Sequence, residues 1–236
     1  MPPEEALLRR LGDRLQGMDM LDLGVGAGRT TAVFAPLVAR YVGLDYAAEM
    51  VDRARARPGL TTVELLAVAD ARDLTRWHGR GFDLVLFSFN GIDYVDVPDR
   101  RRILDEVRRC LAENGTFAFG THSLNALPLR HRLERPTVRD PVRPLVRSAR
   151  RAVRVARLNR GLDLETARGR GWTQIRDDAH GFSIPATTYV DPAYELRELR
   201  ESGFAVEDVL DTSGASVSPE APGNDAHLFY VCRPLA

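Results

Sequence analysis

Apolar residues follow two periodicities in the first half of the chain, and the two alternate. Five segments are almost continuously apolar over four to eight residues, which is typical of strands buried on both faces. They are Met20–Leu23, Tyr41–Leu44, Val63–Val68, Phe82–Phe89 and Thr116–Gly120. Elsewhere apolar residues recur at the spacing of one helix turn, which predicts amphipathic helices. These are Glu4–Leu15, Thr30–Leu37, a segment through Met50 to Arg57, and Asp99–Leu111.

This alternation predicts a doubly wound, mostly parallel α/β sheet. Two further apolar segments, 205–210 and 226–232, follow a predicted helix at Pro192–Ser202. No helix pattern separates these two segments, so we expect the last strand to be antiparallel. We therefore expect residues 1–122 and 191–236 to form one seven-stranded sheet, and residues 123–190 to form a helical insertion after the fifth strand.

The first predicted strand ends in a turn with glycines at three alternate positions, Gly24, Gly26 and Gly28, and Asp22 precedes them. Glycine allows backbone torsions that other residues avoid and lets a ligand approach the main chain. The N–H groups at the start of the next helix would face that ligand. A dinucleotide-binding fingerprint needs glycine where Arg29 stands. An ordinary strand-to-helix turn is the alternative.

A polar residue stands at the end of four successive predicted strands: Asp22, Asp45, Asp70 and Asn90. In a doubly wound sheet, ligands bind at the carboxyl ends of the strands, near the point where the strand order reverses. Asp45 is suited to accept hydrogen bonds from the two hydroxyls of a ribose, although it can also cap the following helix. The pattern therefore predicts a nucleoside-containing ligand.

Composition limits the class of protein. The chain has 33 basic and 33 acidic residues, so its net charge gives no general attraction to nucleic acid or to anionic membranes. Every basic residue other than histidine is arginine. Cys110 and Cys232 lack metal-ligand spacing, and we expect buried free thiols and no metal site. No signal peptide or transmembrane run is evident, so we expect a cytoplasmic protein. The pattern does not indicate an oligomeric state.

The ordered motifs D-L-G-V-G-A-G, G-L-D-Y-A-A-E-M, A-V-A-D-A-R-D-L and F-D-L-V-L-F-S-F-N-G resemble those of the class I S-adenosylmethionine-dependent methyltransferases. The resemblance implies the Rossmann-like methyltransferase fold, with S-adenosyl-L-methionine as cofactor. It implies that Asp45 holds the ribose, that Tyr46, Met50, Asp70 and Ala71 surround the adenine, and that the backbone near Phe87 meets the methionyl part. The cofactor-binding residues implied are Asp22, Gly24, Val25, Gly26, Gly28, Asp45, Tyr46, Met50, Asp70, Ala71 and Phe87.

Catalytic candidates must lie beyond the fourth or fifth strand, beside the methyl group. Asn90, Asp93 and Tyr94 follow the fourth strand, and His122 follows the fifth. A histidine there could accept a proton from a hydroxyl or ammonium group near neutral pH. A hydrogen-bonded histidine at a strand end, without a catalytic role, is the alternative, and simple packing is the alternative for Tyr94. Asp83, at the start of the fourth strand, is expected to be structural.

The insertion is expected to act as a lid and to recognise the substrate. Between Arg130 and Arg170 it has thirteen arginines and four acidic residues. A predicted helix at Pro141–Leu158 carries five arginines on one side and an apolar set on the other, formed by Val142, Leu145, Val146, Ala149 and Val153. The arginines form either a solvated face, a rim for an anionic substrate, or a contact with RNA. His180, Phe182 and Tyr189 are candidate pocket walls. The sequence thus favours methyl transfer to an oxygen or nitrogen of a small molecule. The alternatives are an RNA methyltransferase, a non-catalytic cofactor-binding subunit and a nicotinamide-dependent oxidoreductase.

Overall fold

The computed structural model describes residues 1–57, 65–126, 143–176 and 186–235. Its helices are α1 Pro2–Leu11, α2 Arg29–Phe34, α3 Ala48–Arg55, α4 Val97–Cys110, α5 Arg143–Leu158, α6 Leu164–Arg170 and α7 Pro192–Glu201. Its strands are β1 Asp19–Leu23, β2 Arg40–Asp45, β3 Leu65–Val68, β4 Phe82–Phe87, β5 Leu111–Ser123, β6 Trp172–Ile175, β7 Thr187–Val190, β8 Phe204–Leu210 and β9 His227–Pro234. Short 3₁₀ helices span Gly12–Gly17, Ala35–Leu37, Thr75–Trp77, Gly91–Tyr94 and Leu124–Ala126.

All the described strands join one sheet. Strands β3, β2, β1, β4 and β5 lie side by side and are parallel. Next to β5, β9 runs antiparallel, and β8 pairs with the far edge of β9. The mostly parallel sheet and its antiparallel last strand confirm the predicted fold class. The strand order reverses at β1, which lies between β2 and β4, so the end of β1 is a topological switch point.

The seven strands predicted within residues 1–122 and 191–236 are all present, and the sheet contains two more, so that the described residues hold nine strands. The two additional strands, β6 and β7, lie within the segment predicted to be a helical insertion. At the carboxyl end of β5, Tyr189 of β7 pairs with His122, and β6 pairs with β7. Each strand has only four residues and no continuous apolar run, so the sequence pattern did not reveal them.

The central strands are apolar throughout because they separate two cores. In β1, Leu21 and Leu23 enter the core on one face, while Met20 enters the core on the other. The same alternation occurs in β4, where Val85 and Leu84 belong to opposite cores. Burial of side chains of this size contributes roughly 1.5–3 kcal/mol each. Both faces of the sheet therefore have to be covered, as a doubly wound fold requires.

Polar residues cap the amino-terminal ends of two of the longer helices and fix where these helices begin. Asp96 caps α4 by accepting a hydrogen bond from the Asp99 N–H at 2.9 Å, and Asp191 caps α7 through the N–H groups of Ala193 and Tyr194. The predicted helices of residues 99–111 and 192–202 thus correspond to α4 and α7. Asp83 accepts a hydrogen bond from the Asp19 N–H at the start of β1, which agrees with the structural role expected for it.

Helix α5 packs differently from its predicted amphipathic pattern. Val155 is buried and joins Leu124 and Ile175 in a small core of its own. Val146 and Val153, on the predicted apolar side, are instead 41% and 53% exposed. Val142, at the start of the predicted helix, lies outside the described residues.

Candidate functional site

The turn after β1, residues 24–28, adopts the backbone conformation for which glycine is suited. The φ angles of Gly24, Gly26 and Gly28 are +67°, +53° and +79°. The N–H of Gly24 donates to the carbonyl of Leu44 at 2.8 Å, and the N–H of Gly26 donates to Asp45 Oδ2 at 2.8 Å. The turn is therefore fixed to the end of β2 by main-chain donors. We call residues 24–28 the glycine turn.

Space in front of the glycine turn is open at its centre. A Cβ added at Gly26 would meet no atom within 4 Å, so a ligand can approach the main chain there. At Gly24 an added Cβ would lie 2.9 Å from the Phe87 ring. Val25 is buried in the core, and only its backbone is positioned for a ligand. Phe87, which was predicted to lie beside the cofactor, is thus packed against the turn.

Asp45 presents a carboxylate that is already oriented by backbone groups. Oδ2 accepts from Gly26, as described, and Oδ1 accepts from the Ala47 N–H at 2.9 Å. Asp45 is only 6% exposed. Each carboxylate oxygen has a second acceptor position, so the carboxylate can still accept two hydroxyl donors. Its geometry suits the vicinal hydroxyls of a ribose.

Large apolar side chains are exposed next to Asp45. Tyr46, which follows β2, is 70% exposed, and Val68, which pairs with Asp45 at the end of β3, is 54% exposed. Met50, in the first turns of α3, is half-buried. Exposed apolar groups of this size at two adjacent strand ends form a surface on which a flat, apolar ring could pack.

Asp70 is held by a neighbour that the sequence interpretation did not consider. Both of its carboxylate oxygens accept hydrogen bonds from the Arg72 guanidinium, between 2.6 and 3.1 Å, and Oδ1 also accepts from the Arg72 backbone N–H. These hydrogen bonds from Arg72 lower the pKa of Asp70 despite its partial burial. Arg72 also reaches Asp99 at 2.7 Å. Any ligand contact of Asp70 must be shared with Arg72, while the adjacent Ala71 is half-buried against the core.

Asp22 lies beneath the glycine turn and is almost completely buried. Its Oδ2 accepts a hydrogen bond from the Tyr41 hydroxyl, which is also 2.9 Å from Thr31 Oγ1. Its Oδ1 has no hydrogen-bond partner among the described residues. Burial raises the pKa of Asp22 to about 7. This unpartnered oxygen is the kind of group that an ammonium donor would satisfy.

Helix α1 contributes a residue that the sequence did not single out. Glu4 accepts hydrogen bonds from both terminal nitrogens of Arg29, at 2.5 and 2.8 Å, and from the hydroxyl of Ser88. Although burial opposes it, the hydrogen bonds from Arg29 and Ser88 lower the pKa of Glu4 to about 2. The Arg29 guanidinium also lies 5.8 Å from the ring of Phe89, which is 58% exposed. Arg29, noted in the sequence only because it is not glycine, thus links three elements.

The end of β4 connects the glycine turn to a second polar group of residues. A Cβ added at Gly91 would collide with the Phe87 ring, as one added at Gly24 would. The glycine turn and the chain at Gly91 therefore both pack against this ring. The 3₁₀ helix that begins at Gly91 brings Asp93 beside the end of β5. Asp93 Oδ2 accepts from the backbone N–H and from Nδ1 of His122, both at 2.7 Å.

Asp93 also belongs to a buried network of charged side chains. Its Oδ1 accepts from Arg100, whose guanidinium is fully buried, and from Thr121 Oγ1 at 2.8 Å. On its other side Arg100 donates to Glu195 Oε2 at 2.7 Å, and its Nε lies 4.0 Å from Glu198. Burial raises the pKa of Glu195 to about 7, in spite of the attraction of Arg100. Three carboxyl groups therefore share one buried cation.

Asn90 joins a second histidine to this group. Its Nδ2 lies 2.7 Å from Nδ1 of His227, the first residue of β9, and its side chain lies over Gly120 of β5. The centroids of the His122 and His227 rings are 4.6 Å apart, and the His122 ring is 4.9 Å from that of Tyr189. Burial lowers the pKa of His227 to about 4, and the neighbouring His122 adds to this effect. We call Asn90, Asp93, His122 and His227 the histidine cluster.

The structure thus brings Asn90, Asp93 and His122, all three predicted from sequence, into one cluster. Tyr94 makes no hydrogen bond with any of these three residues. Burial raises the pKa of the Tyr94 hydroxyl. His227 was missed, because it lies 137 residues after its partner Asn90 and no local pattern marks it. His180 and Phe182 lie outside the described residues.

Two further features of the described residues bear on function. No group of three or more His, Cys, Asp or Glu side chains in them is arranged to hold a metal ion. None of the helices that the structure describes has the length and apolar character needed to cross a bilayer.

Comparison with known proteins relates part of the chain to methyltransferases. Residues 20–115 match the family model described as a methyltransferase domain. The chain is 29% identical over 104 residues to YcgJ, an uncharacterised methyltransferase of Bacillus subtilis; the match spans 44% of this chain and 40% of that protein.

Solved structures share the fold. An S-adenosylmethionine-dependent methyltransferase from Mesorhizobium loti superposes with a TM-score of 0.64 at 20% identity, covering 98% of this chain and 97% of that one. The complex of DhpI with SAH superposes with a TM-score of 0.58 at 19% identity, covering 98% and 84%. At these identities the superpositions establish the fold alone. The match to the methyltransferase-domain model covers residues 20–115, which contain the glycine turn, Asp45, Asp70 and Asn90. Over these residues the chain is similar to a methyltransferase domain, and its fold is that of S-adenosylmethionine-dependent methyltransferases.

Proposed function

We propose that this protein transfers a methyl group from S-adenosylmethionine to an oxygen or nitrogen atom of a small molecule, with His122 as general base. The observation that carries this proposal is the Asp93–His122 pair, 2.7 Å apart at the end of β5. The Phe87 ring lies against both Gly24 of the glycine turn and Gly91, which begins the 3₁₀ helix that contains Asp93. A histidine oriented by a buried carboxylate is an arrangement suited to accept a proton.

The residues around the glycine turn are suited to hold the cofactor. Asp45 would accept the ribose hydroxyls, and Tyr46 and Met50, together with Val68, would border the adenine. The backbone at Gly26 would face the ligand across open space, and the unpartnered Oδ1 of Asp22 supports a nearby ammonium group. When bound, the cofactor supplies an electrophilic methyl group on a sulfonium, so the protein contributes mainly alignment and proton removal.

Asp93 and Arg100 would prepare His122 for this task. Because Asp93 accepts from Nδ1, that nitrogen carries the proton of neutral His122 and leaves a lone pair on Nε2. Proton transfer from the acceptor group to Nε2 would create an imidazolium that faces the Asp93 carboxylate. Arg100 balances the negative charge of Asp93 in the buried interior.

We also propose that the insertion at residues 123–190 recognises the substrate. Its small core around Val155 includes Tyr189, whose ring packs against His122. Helix α5 has exposed arginines at positions 150, 154 and 157, which favour an acceptor that carries an anionic group. No aromatic residue occurs in α5, which counts against stacking on RNA bases and therefore favours a small molecule.

The test combines binding and turnover. We expect calorimetry to show binding of S-adenosylmethionine and not of NAD, and labelled S-adenosylmethionine to transfer its methyl group into a fraction of small metabolites. His122→Ala should lower that rate by roughly 10²–10⁴-fold without changing cofactor affinity. His78→Ala is the matched control, because His78 also pairs with a carboxylate, Glu106, in a different part of the molecule.

Each alternative has its own outcome in this experiment. Transfer into total RNA instead of metabolites would establish an RNA methyltransferase. Tight cofactor binding with no transfer into any fraction would indicate a non-catalytic subunit. An unchanged rate for His122→Ala would show that His122 is not the base.

A further inference from the structure

We infer that His227 is a second substrate-binding residue, which donates a hydrogen bond from Nε2 to the atom that is methylated, and that this atom is therefore the oxygen of a hydroxyl group. This inference rests on the proposed function, because it concerns the acceptor of the same reaction. It goes further because it chooses oxygen over nitrogen as the acceptor atom and assigns a role to His227, the first residue of β9.

The hydrogen bonds of the histidine cluster give the two histidines opposite tautomers. A carboxylate can only accept, so Asp93 requires a proton on Nδ1 of His122 and leaves Nε2 as an acceptor. At His227 the partner is the amide nitrogen of Asn90, which can only donate. Nδ1 of His227 is therefore the acceptor, and the proton of its neutral ring lies on Nε2.

Burial keeps His227 in the neutral form that this argument requires. Its pKa is lowered to about 4, chiefly by burial and also by the nearby His122 ring. His227 is thus a neutral donor at physiological pH. Its Nε2–H does not depend on protonation of the ring.

The two Nε2 atoms have complementary hydrogen-bonding roles. The rings are 4.6 Å apart with an angle of 58° between their planes, and both are partly exposed. Neither Nε2 hydrogen-bonds to any residue that the structure describes. One nitrogen offers a lone pair and the other a proton, so a group that both donates and accepts could bridge them.

The lone pairs of the acceptor atom decide between oxygen and nitrogen. A hydroxyl oxygen can donate its proton to His122, accept from His227 with one lone pair and attack with another. A neutral amine has a single lone pair, and a hydrogen bond from His227 would occupy the pair needed for attack. A donor at this position therefore assists a hydroxyl and hinders an amine.

The step balances as follows. The hydroxyl proton moves to Nε2 of His122, and the oxygen forms a bond to the methyl carbon as the carbon–sulfur bond breaks. The electron pair of that bond stays on sulfur, which becomes a neutral thioether. His227 stabilises the negative charge that develops on oxygen before the methyl group is fully transferred.

Nuclear magnetic resonance of the protein labelled with ¹⁵N-histidine tests the tautomers without any need for turnover. We expect His122 protonated on Nδ1 and His227 protonated on Nε2 near neutral pH. A proton on Nδ1 of His227 would overturn the inference and leave the proposed function intact.

Two substitutions at one position test the donor. In His227→Gln the amide nitrogen can reach the position of Nε2, whereas in His227→Asn the shorter side chain reaches only the position of Nδ1. We expect His227→Asn to lower kcat by roughly 10²–10³-fold with a smaller change in KM, and His227→Gln to retain activity within about tenfold of the wild type. Equal losses in both variants, or no loss in either, would contradict a donor at Nε2.

The identity of the product separates this inference from the proposed function. With S-adenosylmethionine labelled with ¹³C in its methyl group, the chemical shift of the product carbon distinguishes a methyl ether from a methylamine. A methyl ether is expected. A methylamine would overturn the inference while supporting methyl transfer, and the absence of any labelled product would count against the proposed function itself.

Discussion

The glycine turn and the histidine cluster supply different kinds of hydrogen-bond donor to the carboxylate beside each of them. At the glycine turn, Asp45 is held by the backbone N–H groups of Gly26 and Ala47, which are neutral. In the histidine cluster, Asp93 is held by the charged guanidinium of Arg100 and by side chains from β5. The first arrangement leaves the carboxylate able to accept ligand hydroxyls, and the second fixes a carboxylate as part of the interior.

The two regions also differ in how far apart their partners lie in the chain. Gly26 and Asp45 are 19 residues apart, whereas Arg100 and Glu195 are separated by 95 residues and Asn90 and His227 by 137. A local motif can specify the first region, since one strand–turn–helix unit and the next strand supply it. The second exists only after the sheet has assembled. The regions proposed to bind the cofactor and the acceptor therefore depend on the assembled fold to different degrees.

Removing the buried cation should have the largest effect. Arg100→Leu leaves Asp93, Glu195 and Glu198 without their shared guanidinium, and we expect the free energy of unfolding to fall by about 3–5 kcal/mol. Urea denaturation measures this change. Arg101→Leu is the matched control, because Arg101 forms an exposed pair with Glu201 and its loss should cost roughly 0–1 kcal/mol. Similar losses of stability in the two variants would show that Arg100 contributes no more to the interior than an exposed arginine does.

Asp22, in β1 two residues before the glycine turn, has no cation at hydrogen-bond distance among the described residues, and its titration should show in the pH dependence of stability. Burial raises the pKa of Asp22 to about 7, so the folded protein retains a proton that the unfolded chain loses near pH 4. This contribution is fully present below about pH 4 and is lost as the pH rises to about 7. Asp22→Asn lacks this dependence.

We therefore expect Asp22→Asn to gain stability relative to the wild type by roughly 2–4 kcal/mol between pH 4 and pH 7. Urea denaturation at a series of pH values measures the difference, with Asp52→Asn, on the exposed side of α3, as the control. A constant difference across this range would show that Asp22 is ionised in the folded protein throughout.

Asp45 should affect the cofactor more than the fold. Asp45→Asn removes the charge and one acceptor oxygen, and we expect the affinity for S-adenosylmethionine to fall about 10- to 100-fold, since hydrogen bonds to charged groups contribute roughly 1.5–3 kcal/mol. Calorimetry measures the affinity, and Asp52→Asn again serves as the control. An unchanged affinity would place the ribose elsewhere, and the two regions would no longer differ in their function.

The sequence predicted those features that depend on neighbouring residues. The central strands, the glycine turn and the polar residues at the strand ends follow from apolar runs and turn residues, and the structure contains all of them. The sequence also brought forward Asn90, Asp93 and His122. It could not pair His122 with Asp93, or Asn90 with His227, because strand order decides which strand ends adjoin.

The errors have the same origin. Strands β6 and β7 were missed because pairing with β5, and not their own composition, makes them strands. Val153 of α5 is exposed although its helical pattern predicted an apolar side, whereas Val155 is buried. The contact of Asp70 with Arg72 was not predicted either, and the expectation that Asp70 faces a ligand stays a prediction.

Gly120, near the carboxyl end of β5, has a consequence for how the proposed acceptor site can vary. A Cβ at this position would lie 2.9 Å from Oδ1 of Asn90 and would push that side chain away from His227. A single methyl group in the sheet could thus change which nitrogen of a histidine on a neighbouring strand carries its proton. Evolution of a new acceptor preference could therefore begin at a position that touches no substrate.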